Sequence, residues 1–140
     1  MAIWFHSEYP GYQVSQKRIL KRWINSVIIQ VGYRTGEINY IFSDDNKILE
    51  VNRNFLNHNF YTDIISFDYS NDKFISGDIY ISIDRVKENA IDFNEDFNHE
   101  LQRVLIHGVL HFLGYKDKTK IEINVMRKAE TRCLESLKLS

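Results

Sequence analysis

The feature that most constrains the fold is an apolar segment that carries two histidines, HGVLHFLGYKD, from His107 to Asp117. Aliphatic and aromatic residues occupy nearly every side of the helix that this segment predicts: Val104, Leu105, Ile106, Val109, Leu110, Phe112 and Leu113. A helix that is apolar all round has to be buried, so the rest of the chain must surround it. Buried histidines need polar partners, because an unpaired polar group in the interior is costly.

The spacing of the polar residues in this segment predicts a metal site. Residues four apart share one face of a helix, so His107 and His111 can direct imidazole nitrogens at one ion. Gly114 is typical of a helix end, because glycine adopts the left-handed conformation at little cost, and the chain can then bring Asp117 back. Two histidines and a carboxylate form a common catalytic zinc set with a fourth position for water. We therefore predict one Zn²⁺ per chain, with these three ligands and a metal-bound water as the reactive group.

Two considerations limit this interpretation, one against a metal site and one against peptidase activity. A pair of histidines four apart on a helix is by itself more often structural than metal-binding. Zinc peptidases with this helix carry a glutamate directly after the first histidine as the general base, and here that residue is Gly108. Peptidase activity is therefore not expected, and the protein base of any other reaction is unknown from the sequence.

The length and composition of the chain limit the number of domains and the kinds of site that it can contain. The 140 residues suffice for one domain with a core and are too few for two. The 18 basic and 19 acidic residues nearly cancel, so a nucleic-acid site would have to be a local patch. A single cysteine, Cys133, excludes an internal disulfide framework. The N-terminus is a poor signal peptide, and no window approaches the roughly 20 apolar residues of a membrane span. We expect a soluble, cytoplasmic protein with no membrane partner.

Hydrophobic periodicity predicts nine elements in the order β-α-β-α-β-β-α-α-α. The strands are predicted at residues 2–7, 36–43, 62–69 and 77–84, with a hairpin between the last two. The helices are predicted at residues 15–32, 44–56, 84–93, 96–114 and 120–138. The last helix carries an apolar stripe made of Ile121, Val125, Ala129, Cys133 and Leu137.

This order predicts an α+β (α/β-like) fold. A single domain over residues 1–140 would contain a small mixed sheet of about four strands flanked by helices. The metal site would lie on a central helix and the turn that follows it.

The segment HGVLHFLGYKD resembles the signature of the YbeY-type endoribonucleases, H-G-x-L-H-x-x-G-Y-D-H. VNRNFLNHNFYTDIISF, at residues 51–67, is similar to a family segment that ends in T-D-V-L-S-F, and GDIYIS, at 77–82, is similar to the next strand. The resemblance implies one zinc ion with three ligands and single-strand-specific RNA cleavage linked to 16S rRNA 3′-end maturation and ribosome quality control. The implied partners are an rRNA precursor and the small ribosomal subunit or assembly factors.

The chain departs from the family pattern at two positions that matter for activity. The family usually has histidine where this chain has Asp117, and an aspartate ligand would make the metal site more anionic. An arginine that faces the cleft usually stands at the position of Leu56, and leucine cannot contact phosphate. An alternative function therefore stays open, a zinc-stabilised ribosome-assembly factor with little or no nuclease activity. A metal hydrolase of small molecules is a third.

Three further residues are candidates for the cleft or for support of the ligands. Arg103 lies four residues before His107, and it can contact phosphate or form a salt bridge with Glu100 or another carboxylate; the two alternatives weigh equally. Asp63 and Ser66 match the family motif and are expected to line the cleft. For Asp63 we favour a structural role or a hydrogen bond to a metal-bound histidine.

Overall fold

The computed structural model describes residues 2–58 and 62–137, and its elements follow the predicted order. The strands are β1 (Ala2–Ser7), β2 (Arg34–Ser43), β3 (Ile64–Asp68) and β4 (Phe74–Ser82). The helices are α1 (Lys17–Gln30), α2 (Asp45–Leu56), α3 (Ile83–Asp92), α4 (Phe97–Phe112) and α5 (Lys120–Ser136). Among the helices of the described ranges, none is both long and apolar enough to cross a membrane.

The four strands form one mixed sheet in the order β1-β2-β4-β3. The three strands β1, β2 and β4 are parallel, and β3 pairs antiparallel with β4. The predicted hairpin is confirmed, with β4 starting at Phe74, three residues earlier than expected. At the turn, Asn71 Oδ1 accepts hydrogen bonds from the backbone N–H groups of Lys73 and Phe74 at 2.9 Å each. The predicted fold class, an α+β domain with a small mixed sheet, is confirmed.

Helices cover both faces of the sheet, and the metal-site helix is the most enclosed of them. On one face, α1 and α4 pack on the sheet and form the main core with it. On the other face, α2 packs over β3 and β4 through a small cluster of Ile48, Val51 and Ile65. Both α3 and α5 pack against α4, so this helix has neighbours on several sides, as its apolar composition predicts.

Gly108 allows α4 to approach the sheet closely. A Cβ atom at this position would lie 2.9 Å from Ile79 Cδ1 and 3.2 Å from Ile64 Cδ1. Such distances are shorter than ordinary van der Waals contacts, so a larger residue would push the helix away. The residue after His107 therefore faces the sheet, and this explains in physical terms why no glutamate stands there.

The predicted start of α1 and part of the predicted apolar stripe of α5 are wrong. On α5, Ile121 is 76% exposed and Val125 is 48% exposed, whereas the buried residues are Met126, Ala129 and Glu130. Ile121 and Val125 instead line an open groove beside Leu113 and Tyr115, and the buried face of α5 begins at Met126. The first helix begins at Lys17 instead of Ser15, because Gln16 has a left-handed backbone conformation at φ 58°.

One buried hydrogen bond connects the centre of the sheet to α4. Tyr40 on β2 is completely buried, and its hydroxyl donates to the carbonyl oxygen of Leu105 at 2.9 Å. Burial raises the pKa of Tyr40 well above its usual range, so the phenol stays protonated and remains a donor.

The Tyr40→Phe variant should lose about 1 kcal/mol of unfolding free energy, because it removes this hydrogen bond and little else. Urea denaturation measures the loss. Tyr33→Phe, at a half-buried tyrosine just before β2, is the matched control and should change stability less. Equal effects of the two substitutions would contradict a specific bond between Tyr40 and α4.

Candidate metal centre

Three side chains converge where α4 ends. His107 and His111 lie on its last turns, and Gly114, at φ 102°, reverses the chain so that Asp117 returns toward them. The two Nε2 atoms are 3.0 Å apart, and Asp117 Oδ2 lies 3.3 Å from that of His107 and 3.2 Å from that of His111. Ligands of a tetrahedral zinc ion are about 3.3 to 3.6 Å from one another. The triangle is thus close to the size that one metal ion requires.

Hydrogen bonds on the far side of each ring fix which nitrogen faces the triangle. His111 Nδ1 lies 3.1 Å from the carbonyl oxygen of Tyr115, and His107 Nδ1 lies 2.6 Å from Glu130 Oε2. A carbonyl and a carboxylate only accept, so both Nδ1 atoms carry the proton and donate it. In neutral rings, the two Nε2 atoms then direct lone pairs at each other, an arrangement that repels unless a cation lies between them. The donor set therefore fits a metal.

A buried ion network supports the first histidine from the α5 side. The carboxylate of Glu130 is 2% exposed, and its second oxygen, Oε1, accepts from Arg103 Nη1 at 3.1 Å. Burial alone would raise the pKa of Glu130, but the hydrogen bond from His107 and the charge of Arg103 lower it below its usual value. Glu130 is therefore ionised, and its charge favours the protonated Nδ1 that leaves Nε2 for a metal.

Arg103 is held by carboxylates on two helices. Its Nε donates to Glu100 Oε1 at 2.9 Å, its Nη2 lies 2.5 Å from the other oxygen of Glu100, and its Nη1 reaches Glu130. Burial acts to lower the pKa of Arg103, but its hydrogen bonds and charge contacts with these carboxylates raise it above its usual value. The salt bridge weighed as an alternative for Arg103 is therefore present, and its side chain is only 15% exposed.

The triangle lies at one end of a polar cleft with a volume of about 330 Å³ between β3 and the helices α4 and α5. Asp63 and Ser66 are among the residues that line this cleft. Burial raises the pKa of Asp63, and its Oδ2 accepts a hydrogen bond from Asn89 Nδ2 at 3.4 Å. The Nδ1 atoms of the two histidine rings donate to Glu130 and to the carbonyl oxygen of Tyr115, so Asp63 is not their acceptor. Tyr115 itself packs against the core.

Two residues of the site on α5, Glu130 and Arg127, were not predicted from the sequence. Arg127 lines the cleft, and its Nη1 lies 3.7 Å from Glu130 Oε1. A signal for Glu130 was present, because this carboxylate directly follows Ala129 on the buried side of an amphipathic helix. An ionisable residue in such a position needs a buried partner.

Comparisons with known proteins identify the family of this chain. The family model described as "Endoribonuclease YbeY" matches residues 6–138. The chain belongs to the YbeY family. A Flavobacterium psychrophilum protein named endoribonuclease YbeY is 52% identical over 128 residues, which are 91% of this chain and 89% of that protein. A protein of the same name from Parabacteroides distasonis is 46% identical over 137 residues, 98% of this chain and 96% of the relative.

A solved structure supports the fold of this YbeY family member. The solution structure of TM1509 from Thermotoga maritima superposes with a TM-score of 0.67 and is 25% identical in sequence. The match covers 98% of this chain and 89% of the other. The resemblance read from the sequence is therefore confirmed at the level of family and fold.

The two positions expected to depart from the family pattern lie in different places in the structure. Asp117 contributes one of the three donor atoms of the triangle. Leu56 is the last residue of α2 and is 39% exposed. It is not among the described residues that line the cleft, and residues 59–61 lie outside the described ranges.

Replacing Glu130 with glutamine tests the buried network. Glu130→Gln should lower the unfolding free energy by about 3 kcal/mol, because Arg103 and His107 lose the charge that compensates them in the interior. Urea denaturation in the presence of EDTA measures this without any contribution from bound metal. Glu135→Gln, at an exposed position of the same helix, should change stability by less than about 0.5 kcal/mol. Similar losses in both variants would contradict the network.

Proposed function

We propose that this protein is a zinc-dependent endoribonuclease that cleaves single-stranded RNA. Two observations support the proposal: membership of a family whose curated members are named endoribonuclease YbeY, and the convergence of His107, His111 and Asp117 in a polar cleft. The convergence carries the argument, because a fold alone does not define a reaction. At finer detail, we propose a role in 16S rRNA 3′-end maturation and ribosome quality control in the cytoplasm. An rRNA precursor would be the substrate, and the small ribosomal subunit or assembly factors would be partners.

The ligand set favours zinc among the common metals. Two imidazole nitrogens and one carboxylate oxygen suit Zn²⁺, which accepts a tetrahedral site with a fourth position open to solvent or substrate. Zinc in such a site acts as a Lewis acid toward a phosphoryl oxygen and lowers the pKa of water. Asp117 is 38% exposed on its side chain, so the open side of the triangle faces the cleft and not the core.

The chain's own residues have separable tasks in this scheme. Glu130 and the carbonyl of Tyr115 hold the two imidazole rings with Nε2 toward the cleft. Asp117 contributes a negative charge, so a zinc ion with this ligand set keeps one positive charge for an anionic phosphodiester. The half-buried Asp63 and Ser66 place polar groups on the β3 side of the same cleft, where an RNA strand would pass.

Zinc content and RNA cleavage should both depend on Asp117. Asp117→Ala should lower zinc affinity by at least the roughly 10- to 100-fold that is typical for loss of a supporting residue, and cleavage of single-stranded RNA should fall with it. Asp117→His, which restores the ligand usual in the family, should keep about one zinc per chain. Elemental analysis and a gel assay with a labelled oligoribonucleotide measure the two effects.

The exposed neighbour Lys116 provides the matched control, since Lys116→Ala should keep both zinc and activity. Unchanged zinc in Asp117→Ala would contradict its assignment as a ligand. If the wild type binds zinc and leaves RNA intact, the assembly-factor alternative replaces the nuclease.

A further inference from the structure

The cleft contains two side chains of fixed positive charge among its described lining residues, Arg103 and Arg127. An RNA backbone carries one negative charge per phosphate, and its binding depends on such cations. The whole chain has a formal net charge of −1, so a general attraction for RNA is not available. Which of the two arginines can reach a phosphate is therefore decisive.

The guanidinium of Arg103 is already paired with carboxylates inside the protein. It forms ion pairs with Glu100 and Glu130, each of which is 2% exposed, and its own side chain is 15% exposed. The trio of one guanidinium and two carboxylates carries a net negative charge. A phosphate that approached Arg103 would have to displace a buried carboxylate, which is unfavourable.

Arg127, in contrast, is more exposed and less tightly paired than Arg103. It lies on α5 three residues before Glu130, so the two side chains share one face of the helix, and Arg127 lines the cleft. Its side chain is 53% exposed, and it forms an ion pair with Glu130 in which Nη1 and Oε1 are 3.7 Å apart, a separation too long for a hydrogen bond. Because an ion pair of this length on an exposed side chain is weak, a phosphate can replace it. The planar guanidinium has five N–H donors in a geometry that matches two oxygens of a phosphate.

We propose that Arg127 binds a backbone phosphate of the RNA strand at the mouth of the cleft and positions the strand against the metal site. The inference rests on the proposed nuclease function. It assigns to α5 a substrate contact in addition to the support that its Glu130 gives to His107. Arg127 acts here as a positioning residue, since nothing places it at the reacting atoms.

The test compares zinc-loaded wild type with Arg127→Gln and with Arg132→Gln. Arg132 is exposed on the same helix, five residues further on, and therefore points about 140° away from Arg127. Both variants lose one positive charge, so they differ only in where it is lost. The substrate is a single-stranded oligoribonucleotide of about 16 nucleotides with a fluorophore and a quencher. Its cleavage is followed at several salt concentrations, and the zinc content of each protein is measured.

We expect kcat/KM of Arg127→Gln to fall about tenfold at low salt, mainly through KM, because one charge-assisted contact is lost. The slope of log kcat/KM against log salt should become shallower by about 0.7, the value for one phosphate contact on a single strand. Zinc content should stay at that of the wild type, and Arg132→Gln should match the wild type in all three respects.

Other results overturn the inference. If Arg127→Gln matches Arg132→Gln, or loses activity with an unchanged salt slope, Arg127 does not bind phosphate. A loss of zinc in Arg127→Gln would mean that it only holds Glu130 in place. These outcomes leave the proposed function intact, whereas absence of zinc-dependent cleavage by the wild type overturns that function itself and the inference with it.

Discussion

The hydrogen bond between His107 and Glu130 connects the packing of the helices to the chemistry of the site. It joins α4 to α5, with a distance of 2.6 Å between His107 Nδ1 and Glu130 Oε2. The same contact sets the proton on Nδ1 of His107 and leaves Nε2 for a metal, because Glu130 can only accept. Glu130 remains ionised through its ion pair with Arg103. Removal of one partner is therefore expected to lower the stability of the fold and to disturb the metal site.

The position of the site follows from the burial of α4. This helix lies against the sheet closely enough that Gly108 has no room for a side chain, and α1, α3 and α5 pack around it. Its histidines lie toward its C-terminal end, where Gly114 turns the chain outward and Asp117 comes back at the edge of the core. A rigid, apolar helix thus holds two donors, and the less buried turn supplies the third. The donor atoms on the helix are therefore held in defined positions, while one side of the site stays open to the cleft.

What could be predicted from the sequence depends on how far apart the interacting residues are. The order of elements, the mixed sheet and the His107, His111 and Asp117 cluster follow from local periodicity, helix spacing and one glycine. Glu130 lies 23 residues from His107, and its role depends on how α5 is rotated against α4. The predicted stripe through Ile121 and Val125 assumed a different rotation, which only the packing of the two helices decides.

The contacts of Arg103 and Arg127 in the cleft also depend on how α5 packs against α4, so the sequence alone could not predict them. From the sequence, the salt bridge of Arg103 to Glu100 on its own helix was a recognised alternative, because the two are three residues apart. The second carboxylate of the pair, and the place of Arg127 beside it, come from another helix and leave no mark in local spacing. Because long-range contacts of this kind cannot be predicted from local spacing, the sequence allows a correct family assignment but not a full description of the site.

X-ray absorption spectroscopy at the zinc edge of the zinc-loaded protein tests the central claim most directly. The account predicts one zinc per chain with only nitrogen and oxygen neighbours at about 2.0 to 2.2 Å, including the outer-shell scattering of two imidazole rings. A sulfur neighbour at about 2.3 Å, which would have to come from cysteine, would contradict the proposed ligand set. So would the signature of fewer than two imidazoles, or the absence of bound zinc.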